Sequence, residues 1–409
     1  MKRFLEITLG VLTAIGGMID IGNLVANPQA GARFGLALAW VIVLGVVGIM
    51  LFTEMASRVA TVSQHPIFDV VRERLGARMA LANLFASAGL GILTLIAEIG
   101  GLGLLFQLVT GFNYLAFIPP IAVAIWVVVW RLPFQAMERI YGLLGLGMLA
   151  VVVAVWQLHP DWSGLMHEAL HPTVPPTESH TTYWYFAIAQ LGSVLSPYQI
   201  FFFTSGAVEE RWKKQDLLLA RSNIFLGFGL GTFVALGLMV GGAMILRPIS
   251  INPEHLGQSL LPVAVALGRT GLIVTYVGVF AAVFGASLEC SLAVGYTIAQ
   301  YFGWEWGKMV KPAEASRFHL VVLAAVIAAA GAALTTIDPI KVTGYALILG
   351  AASIPLTYFP TLVVANDPDY MGDKTNSRAT NALATAYLAM LCVVSVAALP
   401  LLVITKAGA

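Results

Sequence analysis

Asp20 and Asn23 are the two most demanding side chains in the first apolar segment, in a stretch that reads AIGGMIDIGNLVANPQA from residue 14 to residue 30. A carboxylate in hydrocarbon is costly unless it meets a cavity, an ion or a partner, so position alone makes Asp20 a candidate site residue. Gly16, Gly17 and Gly22 allow the helix to open there, and an opened turn exposes backbone carbonyls and amides that can hold an ion. The plainer reading makes Asp20 only the N-cap of a helix starting at Asn23; the two readings are compatible. A second interruption lies in the sixth apolar segment, AIAQLGSVLSPYQIFFFTSG. Pro197 has no amide proton and releases the carbonyl of Ser193, leaving a polar gap around Ser193 and Ser196 to which Gln190, Tyr198 and Gln199 add further polar atoms. Glu98 and Glu289 are the remaining isolated acids at membrane depth. Neither has a Lys or Arg in its own segment, so each must find a partner across helices, carry a proton or meet a cation. Glu54 differs, because Arg58 one helical turn on gives it an ordinary i,i+4 partner.

The elements that position these residues are membrane spans. Of 409 residues 59% are hydrophobic and 11% charged, against about 45–50% and 25% in soluble domains. Runs long enough to cross about 30 Å of hydrocarbon fall at 5–31, 36–61, 80–108, 112–130, 139–158, 183–208, 218–246, 271–300, 318–336, 341–365 and 380–404, eleven in all. With the N-terminus in the cytoplasm, Lys and Arg divide 17 inside to 5 outside. That is the bias of a multi-pass cell-membrane protein whose C-terminus is outside. The MKRF head runs straight into the first span, the pattern of an uncleaved helix. Cys290 and Cys392 form no disulfide framework. The net charge of +1 says nothing about nucleic acid, and no basic tract supports such a partner, so none is expected. The Gly-rich pieces at 101–105 and 142–147 lack the Lys-Ser/Thr of a phosphate loop, so no nucleotide is expected either. The longest connection, 159–182, carries His159, His167, His171 and His180. Its prolines are expected to prevent regular structure and its histidines to be too scattered for a metal.

Two broken spans, the first and sixth, separated by four continuous ones, match an inverted repeat of five helices plus five. The expected architecture is an all-α integral membrane protein: a first repeat at 1–158, an external loop at 159–182, a second repeat at 183–366, and a loop with an extra eleventh helix at 367–409. In that scheme the third and eighth spans, which carry Glu98 and Glu289, are equivalents.

The chain resembles the natural resistance-associated macrophage protein (Nramp) family of divalent metal transporters. The family's Asp-Pro-Gly-Asn in its first broken helix appears as Asp20-Ile21-Gly22-Asn23, continued by NLVANPQAGARFG. Ala56-Ser57-Arg58 is similar to the end of its second helix, Glu98 matches an acid of its third, and Tyr370-Met371-Gly372 resembles the end of its tenth. The resemblance spans residues 8–375 and implies a LeuT-like fold. Departures bear on the ion. Ser196-Pro197-Tyr198 stands where the family has Met-Pro-His, Ser193 replaces an Ala, and Leu95 replaces an acid of the family's suggested proton route. Hydroxyls, carboxamides and water suit hard cations, a thioether softer ones, and these changes resemble the branch described as Nramp-related magnesium transporters.

The resemblance thus implies a secondary transporter that imports a hard divalent cation, Mg²⁺ ahead of Mn²⁺, by alternating access and without proton coupling. The metal ligands implied are Asp20, Asn23, Ser193 and Ser196, with Glu98, Glu289, Tyr198, Gln199 and Gln190 along the pathway. No cofactor beyond the transported ion is expected, the partners are that ion and the lipid bilayer, and the sequence is compatible with a monomer without fixing the oligomeric state. The alternatives are a proton-coupled Mn²⁺/Fe²⁺ importer and a sodium-coupled organic-solute symporter on the same helix architecture.

Overall fold

In hydrocarbon every backbone amide must find its partner within the chain, and the apolar runs accordingly close into helices. The computed structural model describes residues 18–335 and 338–408, apart from the side chains of residues 134, 135 and 138. Among these residues ten helices are long and apolar enough to cross a bilayer. The eleventh expected span is the first. Its start at residue 5 and the Gly16–Gly17 pair lie outside the described residues.

From Met18 onward the order is α1 (Ile21–Phe34), α2 (Ala39–Ser63), the long α3 (Ile67–Thr110), α4 (Ile118–Arg131), α5 (Phe134–Gly145) and α6 (Leu149–Gln157). A short α7 (Trp162–Leu170) precedes α8 (His180–Val194), α9 (Pro197–Glu209) and α10 (Leu217–Gly241). They are followed by the long α11 (Leu261–Phe302), α12 (Ser316–Ala333), α13 (Pro339–Val364) and α14 (Arg378–Ile404). The fifth span is α5 and α6 joined through a 3₁₀ turn, Leu146–Met148. The loop 159–182 is less irregular than its prolines suggest. Pro160 precedes α7 and Pro172 follows it, so they bound that helix while Asp161 caps it.

Both long helices bend at a glycine that takes the left-handed backbone region, Gly76 (φ +81°) in α3 and Gly268 (φ +61°) in α11. Only glycine adopts that conformation without strain. The bends come 22 residues before Glu98 and 21 before Glu289, in keeping with the expected equivalence of the third and eighth spans.

Lipid offers no hydrophobic drive between helices, so close approach falls to small residues. A Cβ on Gly31 of α1 would lie 2.0 Å from the Met239 carbonyl of α10, and one on Gly192 of α8 2.1 Å from the Leu347 carbonyl of α13. Phe52 of α2 stacks on Tyr358 of α13 at 4.1 Å between ring centroids.

Polar contacts fasten the two ends of the bundle. At one, Arg33 pairs with Glu178 (2.6 Å) and Arg247 with Glu168 (2.8 Å). At the other, Glu54 meets Arg58 (3.3 Å), the expected i,i+4 pair, and also Arg221 of α10 (2.8 Å). At that same end Glu209, the last residue of α9, accepts from the Tyr296 hydroxyl (2.7 Å) and from the Lys308 and Met309 amides (2.8 and 3.1 Å). The Lys308 ammonium donates to the Leu132 carbonyl. Burial pulls the Lys308 pKa down to about 8, against the opposing pull of Glu209. A base whose folded pKa lies below its unfolded value binds fewer protons when folded, so its charge opposes folding most below pH 8 and ceases to do so as pH rises toward 10.5. The melting temperature in detergent is therefore expected to gain more between pH 8 and 10 in the native protein than in a Lys308→Met variant. Parallel curves for the two would disprove this.

Candidate functional site

The first break is short, and its described residues Met18, Ile19 and Asp20 are buried. Ile19 and Asp20 leave the helix, and Asp20 adopts extended backbone (φ −115°, ψ −177°) as the N-cap of α1. Its Oδ1 accepts from the Asn23 amide at 2.9 Å, and its carbonyl accepts from the Leu24 amide at 3.1 Å. Asp20 is therefore a cap, though of a helix that starts at Ile21 rather than Asn23, and only 3% of the residue is exposed. A helix start leaves further amides without partners. One of them, Ile21 N, donates to Oε1 of Glu98, which reaches across from α3 at 3.2 Å. Two carboxylates thus gather at the positive end of one half-helix, where its dipole favours negative charge.

The second break faces the first. α8 ends at Val194 and α9 begins with Pro197. The Ser193 carbonyl that Pro197 releases accepts from the Asn23 side-chain amide at 3.0 Å. The same nitrogen lies 2.9 Å from the Met18 carbonyl and 3.2 Å from Asp20 Oδ1. An oxygen in its place would confront three acceptors, which fixes the orientation of the carboxamide. Asn23 Oδ1 is itself occupied, accepting from Asn27 Nδ2 at 3.1 Å. The Ser193 hydroxyl donates to the Gln190 carbonyl at 2.8 Å. In this arrangement Asn23 and Ser193 join the two breaks to each other, and neither oxygen lines the space between them.

That space is a void of about 20 Å³, enough for a single water or a bare ion. Its polar lining comes from Asp20, Glu98, Ser196, Tyr198, Thr94 and Thr343. Ile21 and Gly22 of α1, Pro197 of α9, and leucines, alanines and glycines of α3, α8 and α13 complete the wall. The Tyr198 hydroxyl points at Asp20 Oδ2 from 3.4 Å, while Glu98 Oε2 is buried without a hydrogen-bond partner. None of the ion pairs among the described residues involves Asp20 or Glu98. Two acids in so apolar a setting call for protons or for a cation. Every side chain that offers a donor atom to the void offers oxygen, with no imidazole, thiol or thioether.

Of the residues singled out in the sequence, Asp20, Glu98, Ser196 and Tyr198 meet at this void. Gln190, Gln199 and Glu289 are buried nearby without lining it. Gln190 lies beside α1, its Nε2 3.5 Å from the Ala26 carbonyl and its Oε1 without a partner. Glu289 on α11 is within electrostatic reach of Glu98. Thr94 and Thr343 are additions. A threonine in an apolar helix commonly bonds back to the preceding turn, as Thr343 does to the Pro339 carbonyl at 2.8 Å, so nothing in the local sequence distinguishes it. Gly22 is also part of the construction, since a Cβ there would lie 3.0 Å from Asp20 Oδ1 and 2.8 Å from Leu347.

Comparison with known proteins bears directly on this arrangement. Residues 10–400 match the family model described as natural resistance-associated macrophage protein-like. A relative from Aeromonas hydrophila subsp. hydrophila, the divalent metal cation transporter MntH, is 25% identical over 390 residues, covering 91% of this chain and 90% of its own. Among solved structures, the Eremococcus coleocola manganese transporter in complex with an aromatic bis-isothiourea substituted compound superposes with a TM-score of 0.76 at 16% identity, over 95% of this chain and 85% of that one. A Na⁺-coupled sialic acid symporter follows with a TM-score of 0.61 at 13% identity, over 96% and 89%. The fold is the LeuT-like one, with its first and sixth helices broken as the sequence led us to expect. With nearly its whole length matched, the chain belongs to the natural resistance-associated macrophage protein-like family.

Proposed function

We propose that this multi-pass membrane protein is a divalent metal cation transporter and that its ion is a hard one, Mg²⁺ ahead of Mn²⁺, imported by alternating access without proton coupling. The observation that carries this reading is the all-oxygen wall of the void, with two carboxylates that no basic residue compensates. Oxygen donors favour hard cations, whereas imidazole and sulfur would favour softer ones. Asp20 supplies the charge, Ser196, Tyr198 and Thr343 supply neutral oxygens, and Glu98 Oε2 is within the same wall. Asn23 and Ser193 join the ligand set once their present bonds to Asn27 and Gln190 open. Mg²⁺ keeps several waters when bound, so the loaded cavity is wider than the void described above. Asn27 and Gln190, whose side-chain oxygens are buried and unpartnered, mark the way in along α1.

In this scheme one helix bundle rocks against the other and exposes the site, between the broken members of the repeats 1–158 and 183–366, alternately to each side. The charge bias supports a cytoplasmic N-terminus and an external C-terminus. Inward flow follows the ion gradient and a membrane potential worth about 2.3 kcal/mol per charge per 100 mV. Purified protein in liposomes is expected to take up Mg²⁺ with movement of net charge and no acidification of the lumen. The unpartnered oxygen of Glu98 favours one other reading, a proton-coupled Mn²⁺/Fe²⁺ importer. Acidification that accompanies uptake, with Mn²⁺ carried and Mg²⁺ rejected, would establish that alternative in place of ours.

A further inference from the structure

Away from the void, α7 brings together two residues that their loop setting made unpromising. His167 and His171 stand one helical turn apart at its C-terminal end, their rings stacked with centroids 4.5 Å apart and planes at 25°. Both are exposed. His171 Nδ1 lies 3.2 Å from the His167 carbonyl, and in the tautomer that donates this bond Nε2 keeps its lone pair. The helix that carries them is held at both ends. Asp161 Oδ1 accepts from the Ser163 amide at 3.2 Å, and Glu168 pairs with Arg247 at 2.8 Å beyond the end of α10.

From this geometry we propose that His167 and His171 form a bidentate nitrogen site for a borderline divalent cation of the Zn²⁺, Ni²⁺ and Cu²⁺ class, on the face that the charge bias places outside. Zinc–imidazole bonds of about 2.0–2.1 Å in a tetrahedron set the two nitrogens roughly 3.3 Å apart, a separation that rings already stacked one turn apart reach by small side-chain rotations. Glu168, engaged with Arg247, is not the third ligand. Among the described residues no group of three or more His, Cys, Asp or Glu is placed to hold a metal, so water completes the shell and the ion exchanges readily. The site and the void therefore select opposite chemistries. Two imidazoles follow the order that puts Mn²⁺ weakest and Cu²⁺ strongest, and Mg²⁺ has little affinity for them. The histidine pair rests on α7 alone; the Mg²⁺ block in its titration rests on the proposed function, and the Asp20→Asn protein distinguishes Zn²⁺ held at the void from Zn²⁺ held on α7.

Zn²⁺ titrated by calorimetry into the full-length detergent-solubilised protein, with excess Mg²⁺ present to occupy the oxygen site, tests this. One Zn²⁺ is expected to bind, equally in the native protein and in Asp20→Asn. His167→Ala and His171→Ala should each weaken it at least about tenfold, while His159→Ala and His180→Ala leave it unchanged. A melting curve for each variant separates loss of the site from loss of fold. Zn²⁺ binding that survives both His167→Ala and His171→Ala in folded protein, or the absence of Mg²⁺-resistant Zn²⁺ binding in the native protein, overturns the proposal.

Discussion

Asp20→Asn is expected to fold normally and to lose divalent-ion affinity by about 100-fold, equivalent to about 2.7 kcal/mol. Asparagine caps a helix start about as well as aspartate, and its side-chain oxygen can still accept from the Asn23 amide that Asp20 now serves at 2.9 Å. What disappears is the formal charge, at a position where the ion gives up part of its water. Isothermal titration of Mg²⁺ and Mn²⁺ into detergent-solubilised protein measures the loss, and a thermal melt of the same sample checks the fold. Undiminished affinity would mean that the ion rests elsewhere. Asp20→Ala is the less informative variant. It removes the cap as well as the charge, and caps alone contribute about 0.5–2 kcal/mol.

Gly31→Ala is expected to have the largest effect on the fold. The added methyl would sit 2.0 Å from the Met239 carbonyl oxygen, 2.9 Å from its carbon and 3.0 Å from the Ala243 amide. All three are backbone atoms, which cannot rotate away as a side chain can. Either α1 and α10 separate along their length or the protein fails to assemble, at a cost at or above the 1–3 kcal/mol typical of overpacking. A melting temperature lowered by several degrees, or loss of monodisperse protein on size exclusion, is the anticipated readout. Gly89→Ala in α3, where nothing lies within 4 Å of the new methyl, is the matched control and should be neutral or slightly stabilising, since alanine is the better helix former. Equal behaviour of the two variants would contradict the close packing of α1 on α10.

Much of this architecture is legible in the order of residue types, because hydrocarbon leaves the chain few alternatives. Apolar runs must become helices, and a Pro or an acid within one must be answered by something local. The break at Asp20, the second break before Pro197 and the Glu54–Arg58 pair all follow from that constraint. What escaped depends on contacts far apart in sequence. Asn23 looked like a source of carbonyl oxygen, yet its amide spans the gap to the Ser193 carbonyl on α8. Only the juxtaposition of the two breaks reveals that use. Thr343 reaches the void because α13 packs against α3 and α8, and no feature of its own segment says so. The α7 helix was obscured by reading prolines as breakers wherever they fall, when two of them simply delimit it.

The bond from Ile21 N to Glu98 makes one carboxylate serve two claimants. Oε1 accepts from a helix-end amide, and Oε2 is buried without a hydrogen-bond partner. A cation that draws both oxygens to itself strips that amide of its acceptor, and a bare donor in so dry a place costs about 1–3 kcal/mol. If the proposed ion binds there, the opened end of α1 would need a new acceptor, and occupancy would favour a different helix geometry without any dedicated sensor.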